Sequence, residues 1–371
     1  MKMPNKLPLT IDDNEYLEAL RKKKTFPLHL HIDGSIPVGT LFSMAKKRGR
    51  VLKLPKKDAN EQEISYSSEK ERIIDSEEKL REFQYGLLSK YHINDVFDIP
   101  ISFMQTRDDI VETCVALSHY LRTQNSPYAE VRFAPQYHLT QGLSLTQVIG
   151  YALEGLAKGR EETGVTTRLI ASIDRKVDVE RAIDIVNAVL CFRNEVLGID
   201  LACVENGNPP EKHYEAVKLT FGTQLKRTFH AGEMCSEEEN LKNIYTSLTL
   251  LQAHGISHAI QLHKRFYRGY DLIEMMVRNG VRLESNPISN YNFFINSVAD
   301  LHLDQLLDKG VFVTINPDDP AMWPQGDLVY GLYHLGKLYG LKFVDKVIRN
   351  SVLCAWGLKT EEKMSYLKEV M

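Results

Sequence analysis

The sequence predicts a closed barrel of eight parallel strands with crossover helices, a (β/α)8 fold of the α/β class with extra helices inserted after the first strand. Three observations predict it. After residue 125, short apolar runs alternate with amphipathic helical stretches at regular spacing. With the alternating run at Leu28–Ile32, these candidates number about eight, as such a barrel requires. No G-x-G-x-x-G turn follows any strand, although an open doubly wound sheet would want one.

Taken in order, the chain begins with a polar lead-in and a short amphipathic helix, Asp12–Lys24. FPLHLHIDG then reads as a strand with Asp33-Gly34 as its exit. The stretch from Val38 to Asn125 has helical periodicity, with a highly charged excursion around residues 56–82. Beyond it the predicted strands are Tyr128–Ala134, Thr167–Ile173, Val196–Ala202, Arg227–Ala231, Ile256–Gln261, Arg282–Asn286 and Phe312–Asn316. Helices are predicted at Thr146–Thr163, Val179–Arg193, Pro210–Gln224, Glu237–His254, Asp271–Arg278 and Leu303–Leu307. No internal repeat interrupts this rhythm, so residues 1–371 read as one barrel domain with a helical insertion at about 38–125.

Composition fits that reading. The chain has 371 residues, 43% hydrophobic and 26% charged, a size that an α/β barrel with insertions fills. A formal charge of -3 gives no reason to expect a nucleic-acid partner, and the densest basic run, Arg21–Lys24, reads as a solvated helix end. Five cysteines (Cys114, Cys191, Cys203, Cys235 and Cys354) lack C-x-x-C spacing, which points to reduced thiols in the cytoplasm. The residues after Met1 form no apolar leader, and no run approaches the ~18 apolar residues of a membrane helix. The expectation is a soluble cytoplasmic protein with a small-molecule partner and no membrane; oligomeric state is not encoded legibly.

Four places could carry chemistry. His29 and His31 lie two apart on a strand, so both side chains face the barrel interior near its C-terminal mouth. An imidazole pair there suits a borderline-soft metal such as zinc. In Thr228–Glu233 a strand delivers His230 to the same mouth, and Gly232 lets the loop turn Glu233 toward it. Asp318 and Asp319 sit side by side at the last strand's end, where adjacent carboxylates repel unless a cation relieves them. They read as a ligand plus a substrate contact. His258, at another strand's end, could orient an attacking water; His254 competes for that part but ends a predicted helix. Glu130, Arg132, Arg282 and Glu284 read as a supporting charge network. Glu205 lies just beyond a middle strand that offers no bridging ligand, which favours one metal over two.

Together the pieces LHLHIDGS (28–35), YAEVRFAPQ (128–136), GIDLA (198–202), HAGE (230–233), His258, LESNPISN (283–290) and NPDDP (316–320) resemble the adenosine and AMP deaminase family of metal-dependent amidohydrolases. The resemblance implies a (β/α)8 barrel with helices after the first strand and one zinc ion on His29, His31, His230 and Asp318. It implies that His258 and Asp319 orient a zinc-activated hydroxide and that Glu233 protonates the purine ring. It further implies that Asp33 reaches the ribose and that Asp319 and the backbone of Cys203 contact the base. The implied reaction converts adenosine, or a close aminopurine, to the oxo product and ammonia; N6-modified adenine nucleotides, free adenine and a non-catalytic purine-binding role are the alternatives. The chain departs from the family at Cys203, where Gly is usual, at Ser257 and Ala259 flanking His258, at Gly255 where Arg is usual, at Asn286, where Cys is usual, and at Pro317, where a small polar residue is usual.

Overall fold

The computed structural model describes residues 9–234 and 236–370. Cys235 lies outside them, and the other four cysteines are free thiols. Eight parallel strands pair in chain order: β1 (Leu30–His31), β2 (Tyr128–Phe133), β3 (Thr166–Asp174), β4 (Gly198–Ala202), β5 (Lys226–Ala231), β6 (Gly255–His258), β7 (Arg282–Ser285) and β8 (Phe312–Ile315). The ring closes through a parallel bridge between Leu30 and Asp318. There the His31 N–H donates to the Asp318 carbonyl (2.9 Å) and the Asp318 N–H to the His29 carbonyl (3.3 Å).

Where strands are shorter than their apolar runs, a local cause is visible. β1 covers two residues of the five expected, because the Leu28 N–H is taken by the Asn316 side chain (2.7 Å) instead of a ladder carbonyl. β6 stops at His258, not Gln261, because His258 and Ala259 adopt φ of 65° and 45°, outside any strand. The helix expected over Pro210–Gln224 is a 3-10 turn, Pro210–His213, followed by a short helix, Tyr214–Lys218. Thr220 and Thr223 bond back to nearby carbonyls, and Gly222 is left-handed, which ends the helix. The helix expected over Glu237–His254 ends at Thr249, with Gln252 at φ 50° turning the chain toward β6.

The insertion is less uniformly helical than its periodicity suggests. Helices Val38–Lys47, Glu77–Tyr85, Ile93–Ser102 and Arg107–Thr123 are interrupted by a two-stranded ribbon of Leu52–Lys53 with Ile73–Ile74. The charged excursion between them is mostly exposed. Three helices beyond β8, Leu328–Tyr339, Leu341–Cys354 and Thr360–Glu369, were not foreseen. The last lays Tyr366 edge-on against Phe26 (ring centroids 5.0 Å apart), bracing the approach to β1. None of the described helices is long and apolar enough to cross a membrane.

The barrel interior is charged as well as apolar. Glu284 is wholly buried and its two oxygens are fully used. Oε2 accepts from Arg132 Nη2 (2.8 Å) and Ser257 Oγ (2.7 Å); Oε1 accepts from Arg282 Nε (2.8 Å) and Thr228 Oγ1 (2.9 Å). Arg282 also reaches Glu130 (2.6 Å) and stacks 3.3 Å over the Trp356 ring. Removing one member of such a buried set strands a charge. Arg282→Met, which keeps the side-chain length, is therefore expected to cost about 3–5 kcal/mol in urea unfolding. A loss below ~1 kcal/mol would show that the network contributes little to stability.

Candidate metal centre and active site

Strand alternation sets His29 and His31 on one face, and the barrel seam brings Asp318 against them. His29 Nε2 lies 2.8 Å and His31 Nε2 3.5 Å from Asp318 Oδ1, while His31 Nε2 is 3.3 Å from His230 Nε2. One ligand atom from each of these four residues falls within 4.8 Å of every other. His29 Nε2 is buried and, close as it is to Asp318, has no hydrogen bond of proper geometry. Three imidazole nitrogens and a carboxylate oxygen converging this way leave lone pairs pointed at one spot. A divalent cation satisfies all of them, and three imidazoles with one carboxylate suit a borderline-soft ion.

The opposite ring nitrogens are held from behind. His29 Nδ1 is 3.2 Å from Glu284 Oε2, and His230 Nδ1 is 3.0 Å from Asp200 Oδ2. Each carboxylate accepts a hydrogen bond from Nδ1–H, so Nε2 keeps its lone pair for the centre. Burial pushes Asp200 up, but the charges of His230 and Arg132 outweigh it and hold Asp200 well below the usual carboxylate range. Sequence reasoning passed over Asp200, although its inward register in GIDLA offered a signal. Burial is the main cause holding the His31 ring well below its ordinary value, so the ring is neutral, as a ligand must be.

Around the cluster stand the other predicted site residues. His258 Nε2 is 3.6 Å from Glu233 Oε1 and 3.9 Å from Asp318 Oδ2. The Asn286 and Asn290 side chains bracket its ring at 3.2 and 3.0 Å. His254 lies at the other end of the barrel, where its Nδ1 accepts the Arg227 N–H (3.1 Å). Glu233 is buried, which pushes its carboxyl up to about 8. Glu205 points away from the cluster and accepts the backbone N–H groups of Gly232 (2.8 Å), Glu233 (2.8 Å) and Met234 (3.2 Å), pinning the turn that presents Glu233. That positioning part was invisible in the sequence, because Glu205 lies 28 residues from Glu233. Asp319 and Asp33 meet beside His31. Burial, then the charges of Asp318, Asp33 and Glu233, push Asp319 well above its ordinary value. Burial lifts Asp33 to about 6. A Cβ on Gly34 would lie 1.7 Å from Asp319 Oδ1, so Asp319 occupies space that only glycine leaves open.

These groups line one cavity of about 1040 Å³, roofed by Ile93, Phe97 and Ile101 of the inserted helix and by Phe293 and Trp323. Cys203 also faces it, at φ 71°, with Sγ 3.3 Å from Tyr137 Oη. That conformation is the one glycine takes freely, so the sulfur intrudes where a glycine would leave room. The cluster makes a direct prediction. Returning zinc to chelator-treated protein at ~100 times its Kd is expected to add about 2.7 kcal/mol of stability, read as a rise in Tm. His230→Ala should abolish that rise, and a rise that survives would place the metal elsewhere.

The comparisons with known proteins agree with this architecture. The adenosine deaminase family model matches residues 25–370. An adenosine deaminase of Clostridium kluyveri is 31% identical over 343 residues, with 91% of each chain covered. An adenine deaminase of Wolinella succinogenes is 27% identical over 356 residues, covering 95% of this chain and 98% of that one. The crystal structure of an adenine deaminase from Arthrobacter aurescens superposes with a TM-score of 0.74 at 25% identity, covering 93% of this chain and 97% of that one. Near-complete coverage, a closed eight-stranded barrel and a metal-competent cluster at its mouth make this chain a member of the adenosine deaminase family of metal-dependent hydrolases.

Proposed function

We propose that the chain hydrolyses the exocyclic C–N bond of an uncharged adenine-type purine, with adenosine the first candidate and free adenine the second. The observation that carries this is a buried Glu233, its carboxyl pushed up to about 8 by burial, set beside His258 and the three-imidazole, one-carboxylate cluster. Zinc is the metal that this donor set suits, and when bound it supplies activation of water near neutral pH.

The chain's own residues do the rest. His258, fixed by the two asparagines, and Asp319 hold and orient the attacking water. Glu233, kept protonated by burial, gives its proton to the ring nitrogen next to the amine-bearing carbon and so makes that carbon electrophilic. Water adds, the C–N bond breaks, and the amine leaves as ammonia with a proton passed back through the same groups. Ile93, Phe97 and Trp323 give the cavity an apolar wall beside these groups.

Charge supports an uncharged substrate. The cavity presents Asp33, Asp98 and Asp174 against Arg50 and Lys176, and Arg50 is already bonded to the Ser102 carbonyl and to Asp109. A phosphate would meet more carboxylates than cations. The cavity's size, with Asp33 beside it, supports a sugar on the base. The second reading rests on Cys203, whose sulfur narrows the pocket at the strand end, and accords with the adenine deaminases among the similar proteins.

Loss of ultraviolet absorbance with adenine, adenosine, AMP and their N6-methyl forms decides among these. We expect adenosine or adenine to exceed AMP by at least tenfold in kcat/KM; turnover of none by zinc-loaded protein would sink the proposal. Glu233→Gln is expected to lose about 10²–10⁴-fold in kcat while retaining its zinc. Gly34→Ala, by displacing Asp319, is expected to lose about 10²-fold, again with metal content unchanged.

A further inference from the structure

A second cavity, of about 400 Å³, opens at the opposite end of the barrel, where β3 to β6 begin. Its wall carries Arg168, Arg193, Lys226, His254 and Lys359, and no carboxylate. The fold fixes their convergence. Arg168 is the third residue of β3, Lys226 opens β5, and His254 immediately precedes β6. Arg193 follows the helix Val179–Leu190, and Lys359 precedes the last helix.

These cations are not spent on the protein itself. Among the described residues, none of the four Arg and Lys head groups has a carboxylate within 4.0 Å. Arg168 Nε is buried with no hydrogen-bond partner. Arg168 itself is half-buried, whereas the fully buried Arg132 and Arg282 are each held by two carboxylates. The His254 ring is pushed down to about 4 by burial and then by Arg227, Lys226 and Arg282, so it stands in the wall as a neutral ring. Four like charges around one hollow repel one another, and an anion in it turns that cost into attraction. Two guanidinium forks favour an oxyanion with several equivalent oxygens.

We infer that this cavity is a phosphate-binding site, separate from the catalytic mouth, for inorganic phosphate or the phosphate of a small metabolite. Trp356 and Leu197 also line the hollow, whose volume suits a ligand of modest size. An anion there would tie together the starts of four adjacent strands.

The test is 31P line broadening on the zinc-loaded chain at constant ionic strength set with chloride, using inorganic phosphate in one arm and ribose 5-phosphate in another. Saturable binding is expected in at least one arm. A tenfold preference for the ester assigns the site to a phosphorylated metabolite, and parity assigns it to free phosphate. The double reversal Arg193→Glu, Lys359→Glu lies at exposed positions and is expected to weaken binding at least tenfold with turnover within twofold of the parent. If that variant does not fold, Arg193→Gln alone is expected to weaken binding about threefold. No saturable binding in either arm, or undiminished binding in the folded variant, would overturn the inference; the latter would put phosphate on the metal cluster.

Discussion

The carboxylate of Glu284 is the constraint on which the rest of this barrel depends. It sits in the middle of the ring and is read from every side: by Arg132 from β2, by Thr228 from β5, by Ser257 from β6 and by Arg282 of its own strand. Its remaining reach goes to His29 Nδ1, which sets that ring's orientation at the metal cluster. A buried carboxylate is costly unless its lone pairs are used, and here all are. The packing that makes the core possible therefore also aims a ligand. Asp200 repeats the device one layer away, with Arg132 shared between the two carboxylates and His230 as the ring it orients.

Much of this was legible in the sequence because it rests on period-two alternation. His29, His31 and His230 are inward residues near strand ends, and nothing but register was needed to put them together. The doubled Asp318-Asp319 announced itself by repulsion that only a site would tolerate. Less legible were residues whose partners are distant in sequence. Glu205 looks like a surface carboxylate until the turn at Gly232–Met234 is folded over it. Helix lengths failed for a different reason: side-chain hydroxyls and left-handed residues cut Pro210–Gln224 short, and apolar periodicity does not register them. The terminal helices escaped notice because their apolar faces pack on one another and on the barrel, with no motif to mark them.

Four of the eleven non-glycine residues with positive φ among the described residues stand at the barrel mouth. His258, Ala259, Asp318 and Cys203 all take left-handed backbone at the ends of strands, with φ between 45° and 71°. Each such residue costs roughly 1–3 kcal/mol, which surrounding structure must offset. At Asp318 the return is visible, since the twist turns its side chain toward three imidazoles while its backbone still closes the seam. Cys203 gains no comparable contact beyond Tyr137, so its presence is better read as shaping the pocket than as holding the fold.

The seam has a consequence for how the molecule is made. β1 pairs with residues about a hundred positions later on one side, and with Asp318 on the other. While the ribosome is still producing the middle of the chain, two of the four cluster residues already exist but lack both the third and the fourth. Loop closure across nearly three hundred residues is entropically expensive and slow, so the metal site is among the last features to form. A truncated or stalled chain carries the histidines, yet lacks the Asp318 carboxylate and the backbone bridge that complete the cluster.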